Sequence, residues 1–150
     1  MNNNIFLDSS ILVEWAKKTE VELFNYLSSA TKFNLCINQI VLSEFTYYWL
    51  AIEGKKAPVT LKRDSTIPLL VTAHSPINLL SKFTFLEPGH TVIPLYLRYM
   101  EKYNLLPNDA LILATCKLSS IDWIASYDGD FESVCRDEGI QLIRSVSDIA

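Results

Sequence analysis

The sequence predicts an α/β domain with a mainly parallel central sheet between two layers of helices. Short apolar runs of strand length recur along the chain: NIFLD (4–8), FNLCI (33–37), FTFLE (83–87), DWIAS (122–126) and IQLIR (140–144), with helix-forming segments between them. Strands separated by helices in this way pair in parallel, and the helices cover both faces of the sheet. At 150 residues the chain is expected to be one domain over 1–150, large enough to bury roughly 70% of the surface its unfolded form exposes.

The first strand ends in Asp8, and Ser9 or Ser10 then caps a helix formed by ILVEWAKK. Thr19 and Glu22 have the spacing of a capping box ahead of LFNYLSSA, which predicts a second helix over about 20–30. After the second strand, Asn38 caps QIVLSEFTYYWLAIE, and Gly54 stops it. GKKAPVTLKRD (54–64) reads as a basic loop, followed by proline-punctuated helical pieces from about 65 to 82. The third strand leads to a helix over VIPLYLRYMEKY (92–103), with Pro94 near its start, and then to one from about Pro107. A short helix, FESVCRDE, separates the last two strands.

Composition narrows the class. Hydrophobic residues make up 49% and charged residues 20%, which excludes a disordered chain. Cys36, Cys116 and Cys135 are odd in number and lack C-x-x-C spacing, the pattern of buried, reduced thiols in a cytoplasmic protein. His74 and His90 sit in no metal or triad signature and are read as structural. The start MNNNIFLDSS lacks the basic segment of a signal peptide, and prolines break the apolar stretch 67–80, so no membrane span is expected.

Acids then stand out by position. In open α/β sheets, ligand sites collect at the carboxyl ends of strands. Asp8 ends the first strand, Asp128 follows the fourth, and Asp109 falls in the first turn of its helix. Each has an ordinary explanation taken singly: Tyr-Asp-Gly-Asp (127–130) is turn chemistry, Asp109 is a first-turn acid, and Asp130 can cap FESVCRDE. Gly129 would let the chain turn between Asp128 and Asp130. Glu44 lies mid-helix among Val41, Leu42, Phe45 and Tyr48, either on a narrow exposed face or buried for a purpose. Several acids at one rim repel one another, and a divalent cation removes that cost. With no histidine or cysteine cluster beside them, hard oxygen donors favour Mg²⁺ or Mn²⁺.

The ordered set IFLDSSIL, INQIVLSEF, LPNDALILATCK and WIASYDGDFE resembles the PIN domain of the VapC-like toxin ribonucleases, over nearly the whole chain. That resemblance implies a three-layer PIN-like fold and Mg²⁺- or Mn²⁺-dependent hydrolysis of RNA. It implies a metal site of Asp8, Glu44, Asp109, Asp128 and Asp130, the first four catalytic, with Ser10 and Ser126 in supporting places. It also implies frequent homodimers and a protein antitoxin as partner.

Charge bears on the RNA reading. The chain has 13 Lys plus Arg against 17 Asp plus Glu, a formal charge of -4, whereas RNA binding favours basic surfaces. Without the five site acids the remainder is close to neutral. Lys55, Lys56, Lys62 and Arg63 form the densest basic run, and Lys117 and Arg136 follow site-bearing segments, so these six are candidate phosphate contacts. Phe45, Tyr47, Tyr48 and Trp49 wrap around their helix, so they cannot all face one core. Rival readings are a catalytically silent PIN-like module that binds RNA or protein, and a phosphoacceptor domain. Against the latter, LDSSIL lacks the D-x-D-x-T run of haloacid-dehalogenase-type phosphatases.

Overall fold

The computed structural model describes residues 3–150; the expected domain also includes Met1 and Asn2, which lie outside the described residues. Five strands, β1 (Asn4–Leu7), β2 (Asn34–Asn38), β3 (Thr84–Leu86), β4 (Trp123–Ala125) and β5 (Gln141–Ile143), form one sheet in the order β3-β2-β1-β4-β5. Every pairing is parallel, with Ile5 opposite both Leu35 and Trp123, and Phe6 opposite both Cys36 and Ile124.

Consecutive residues of a strand point to opposite faces, yet Ile5, Phe6 and Leu7 are all buried. The central strand is therefore covered on both sides, as its unbroken apolar run requires. The cover comes from α1 (Ser9–Ala16), α2 (Glu22–Ser29), α3 (Gln39–Gly54), α7 (Val92–Tyr103), α8 (Pro107–Leu118) and α9 (Phe131–Glu138), with α4 (Pro58–Arg63), α5 (Ile67–His74) and α6 (Ile77–Leu80) joining α3 to β3. α1 packs on α3, and α7 runs along α8. Cys36, Cys116 and Cys135 are buried and free, and burial pushes the Cys36 thiol up to about 11 and Cys135 up to about 12. They are packing residues.

Local signals hold where the cap acts alone. Asn38 caps α3, its side-chain oxygen accepting the Val41 N–H at 3.1 Å. Elsewhere the structure corrects the sequence reading. Asp8, not a serine, is the residue before α1, and it makes no side-chain cap bond. Thr19 does not open α2: its hydroxyl donates to the Glu14 carbonyl at 3.1 Å and to the Glu14 carboxylate, closing off the end of α1. Residues 58–63 are a helix, α4, started by Pro58 and anchored by buried Leu61.

Gly54 is the last residue of α3, and the left-handed position beyond it is taken by Lys55 (φ 54°). Its role is close packing. A Cβ there would lie 2.6 and 2.7 Å from the two methyl carbons of Leu61. The chain does turn at Gly129, whose carbonyl accepts the Glu132 N–H at 3.1 Å, but its φ lies outside the left-handed region and a Cβ would meet nothing within 4 Å, so the turn does not require glycine.

Candidate metal centre

The strand order reverses at β1, so a crevice opens beyond the carboxyl ends of β1 and β4. Asp8 leaves β1 there, and its N–H donates to the Ala125 carbonyl at 2.9 Å, which joins the two strand ends. Its side chain is buried, at 5% exposure. The hydroxyls of Ser10 and Ser126 each donate to its Oδ2 at 2.7 Å. With those protons committed, Ser10 Oγ accepts the Tyr127 N–H and Ser126 Oγ the Asp128 N–H, both at 3.0 Å. Two serines thus hold the Asp8 carboxylate and the 127–128 backbone in one arrangement. The Asp130 N–H in turn donates to Asp128 Oδ1 at 2.9 Å. The Asp130 side chain makes no cap bond to α9, so the capping alternative is not realised.

Glu44 and Asp109 come from α3 and α8. Asn38, besides capping α3, donates through Nδ2 to Thr115 Oγ1 of α8 at 3.1 Å, and both side chains are buried. That tie sets one helix against the other. Glu44 is partly buried with both carboxylate oxygens occupied: Ser9 Oγ donates to one at 2.5 Å and Asn108 Nδ2 to the other at 2.6 Å. Asp109 stands in the first turn of α8, after Pro107.

Asp8, Glu44, Asp109 and Asp128 line one cavity of about 630 Å³ together with Ser9, Ser10, Asn108, Tyr47 and Tyr48. Their mutual repulsion registers on Asp109. Burial first, and then the charges of Asp128, Asp8, Glu44 and Asp130, push its carboxyl from 3.8 up to about 6. Burial likewise raises Asp8; the hydrogen bonds from Ser10 and Ser126 draw it back, and Glu44 pushes it up again. None of the ion pairs among the described residues involves these five acids.

Such a donor set fits a hard divalent cation. One carboxylate oxygen from each of Asp109, Asp128 and Asp130 lies within 4.8 Å of the other two. An octahedral Mg²⁺ with ligands at about 2.1 Å holds opposite oxygens about 4.2 Å apart, so small side-chain adjustments bring all three into range. Asp8, the fourth acid at this rim, has its Oδ2 against Ser10 and Ser126.

The cations are arranged differently. Lys17 lines the acidic cavity and pairs with Glu14 at 3.4 Å, and Arg144 shares an adjoining hollow with Tyr127 and Asp128. Lys55, Lys56, Lys62 and Arg63 do not line that cavity; Lys56 and Arg63 pair with Asp64. Lys117 donates to the Glu138 carbonyl at 2.9 Å, and Arg136 is exposed on α9. Sequence reasoning misses the roles of Ser9, Asn108, Lys17 and Arg144. For Ser9 and Asn108 a signal exists, since each is a hydrogen-bonding residue directly beside a site aspartate.

Similarity to known proteins extends over most of the chain. The sequence model described as PIN domain matches residues 5–137. The chain is 32% identical over 134 residues to Ribonuclease VapC2 of Methanocaldococcus jannaschii, covering 88% of this chain and 89% of that protein. It is 35% identical over 147 residues to Ribonuclease VapC6 of the same organism, covering 88% and 93%. A toxin-antitoxin complex from Klebsiella pneumoniae contains a chain of the same fold, with TM-score 0.60 and 18% identity over 93% of this chain and 96% of that one.

Proposed function

This chain belongs to the PIN domain family, and on that premise we propose that it is a metal-dependent endoribonuclease, the toxin half of a toxin-antitoxin pair, built as a single domain over 1–150. The observation that carries the reading is the cavity lined by Asp8, Glu44, Asp109 and Asp128, with Asp130 beside it and no cationic partner for any of the five among the described residues. Two relatives carry the name ribonuclease, which supports RNA as the substrate.

Asp109, Asp128 and Asp130 are the primary ligands in this proposal, and Asp8 and Glu44 complete the acidic wall. A bound Mg²⁺ or Mn²⁺ supplies Lewis acidity to a phosphodiester and lowers the pKa of water at neutral pH. The chain's own residues do the positioning. Ser10 and Ser126 keep Asp8 aimed from the end of β1. Ser9 and Asn108 fix the orientation of the Glu44 side chain by donating to both its oxygens. Pre-set donors of this kind reduce the reorganisation needed when the transition state forms.

The likeness to a toxin-antitoxin complex supports a protein antitoxin as partner. Exposed Ile93 and Leu97, one turn apart on α7, support a homodimer, and the free buried cysteines support a reducing compartment, the cytoplasm. No helix among the described residues is long and apolar enough to cross a membrane.

The test is cleavage of a labelled RNA by wild type, Asp8→Asn and Asp109→Asn in Mg²⁺ or Mn²⁺. Wild type should cut internally, and each variant should lose at least about 100-fold while keeping its fold. Full activity in both variants would sink the carboxylate mechanism, and RNA binding without products in wild type would favour a catalytically silent module.

A further inference from the structure

Residues three and four positions apart share a helix face, so Tyr47 and Tyr48 project from α3 on the side of Glu44. Phe45 and Trp49 point into the core, while Tyr47 and Tyr48 keep 50% and 48% of their surface in solvent. Both tyrosines line the acidic cavity, beside Asn108 and Asp109. Their rings meet edge to face, with centroids 5.6 Å apart and planes at 88°. Each ring braces the other, so little freedom remains to be lost when a ligand stacks.

The cavity has little with which to hold a polyanion by charge. Among the described residues Lys17 is the one basic side chain lining it, and it pairs with Glu14 at 3.4 Å. Apart from the ion the acids would hold, phosphate neutralisation by the protein's own side chains is therefore a weak source of affinity here. Aromatic faces supply affinity without charge, because every unpaired base offers a π-face. We infer that Tyr47 and Tyr48 form a stacking platform for unpaired bases, which seats a single-stranded RNA segment over the carboxylates. This rests on the nuclease reading of the cavity. A continuous duplex keeps its bases within its own stack and is refused by the platform.

The experiment uses a single-stranded 12-nucleotide RNA carrying 2-aminopurine. Its fluorescence and anisotropy are read with Ca²⁺ in place of Mn²⁺, its integrity is checked on a gel, and cleavage kinetics are measured in Mn²⁺. Tyr47→Ala and Tyr48→Ala should each weaken binding about 5- to 100-fold and remove the stacking quench, with the kinetic loss falling on KM. Tyr47→Phe and Tyr48→Phe should stay within about twofold of wild type, since the ring face and not the hydroxyl stacks. Alanine variants that bind and quench like wild type overturn the inference, as do alanine variants that change only the sedimentation coefficient, which would make the pair a protein interface. If wild type cleaves but its quench ignores the tyrosines, the platform falls and the nuclease reading stands. A tyrosine-dependent quench without cleavage leaves the platform standing and removes the nuclease reading, and neither binding nor cleavage removes both.

Discussion

Asp109→Asn removes one charge from a crowded pocket while keeping the shape of the side chain, so it should stabilise the metal-free protein. Burial and four neighbouring acids hold the Asp109 carboxyl at about 6 rather than 3.8. Between those values the native state keeps a proton that the unfolded chain has released, so stability falls as pH rises through this window, and the full cost is felt above about pH 6. At 1.36 kcal/mol per pH unit the gap corresponds to about 3 kcal/mol. The side chain is only partly buried, and solvent screening reduces this to about 1–2 kcal/mol. For a chain of this size, each kcal/mol moves Tm by about 2–4 °C. In EDTA at pH 7.5 the variant should melt about 2–8 °C above wild type, and at pH 4 the gap should largely close. Mn²⁺ at a hundredfold excess over Kd should stabilise wild type by about 2.7 kcal/mol and the variant by much less. Calorimetry in EDTA and in Mn²⁺ at both pH values decides it. A variant that melts at or below wild type in EDTA at pH 7.5 would refute the charge-crowding argument.

Further consequences follow from single contacts. Ser126→Ala takes a donor from buried Asp8 and an acceptor from the Asp128 N–H; it should cost about 1–3 kcal/mol in urea unfolding and about tenfold or more in cleavage, and unchanged activity would detach Ser126 from the site. Asn38→Ala loses the α3 cap and leaves Thr115 without its donor; a loss of about 1–2 kcal/mol is expected, and an unshifted urea midpoint would show that the tie between α3 and α8 carries no weight. Gly54→Ala drives a Cβ into the methyls of buried Leu61 and, after a helix-propensity gain of about 1 kcal/mol, should still cost up to about 2 kcal/mol, whereas Gly129→Ala, in open space, should stay within about 0.5 kcal/mol. Thermal melts of the two glycine variants should separate them, and equal melting points would contradict the packing account.

Periodicity and punctuation carry most of the fold. The stretches 92–103 and 131–138 coincide with α7 and α9, and all five apolar runs contribute strands to one parallel sheet. Such features are local, because an apolar face or a lone asparagine cap acts within a few residues. The failures come where a local motif competes with distant packing. Thr19 and Glu22 have the spacing of a capping box, but α2 begins at Glu22, and Thr19 is used by Glu14. The Lys-rich 54–64 stretch reads as a loop until Leu61 finds its place against Gly54. The acids follow the same division. Their positions at strand and helix ends are visible in the sequence, whereas the ties that aim Glu44 join Ser9 and Asn108, which are 35 and 64 positions away from it. Strand order and the packing of α1, α3 and α8 bring those residues together, and no short-range pattern encodes it.

The central claim is that these carboxylates hold the ion that makes the chain a nuclease, and one titration tests it most directly. Mn²⁺ is raised from an EDTA-treated baseline while cleavage of a single-stranded RNA and the rise in Tm are followed on the same sample. The account predicts no cleavage at baseline and half-maximal activity near the Kd obtained by fitting the logarithmic rise of Tm with Mn²⁺ concentration, with both responses lost in Asp109→Asn. Cleavage that persists in EDTA, or a thermal shift unchanged in the variant, would contradict it.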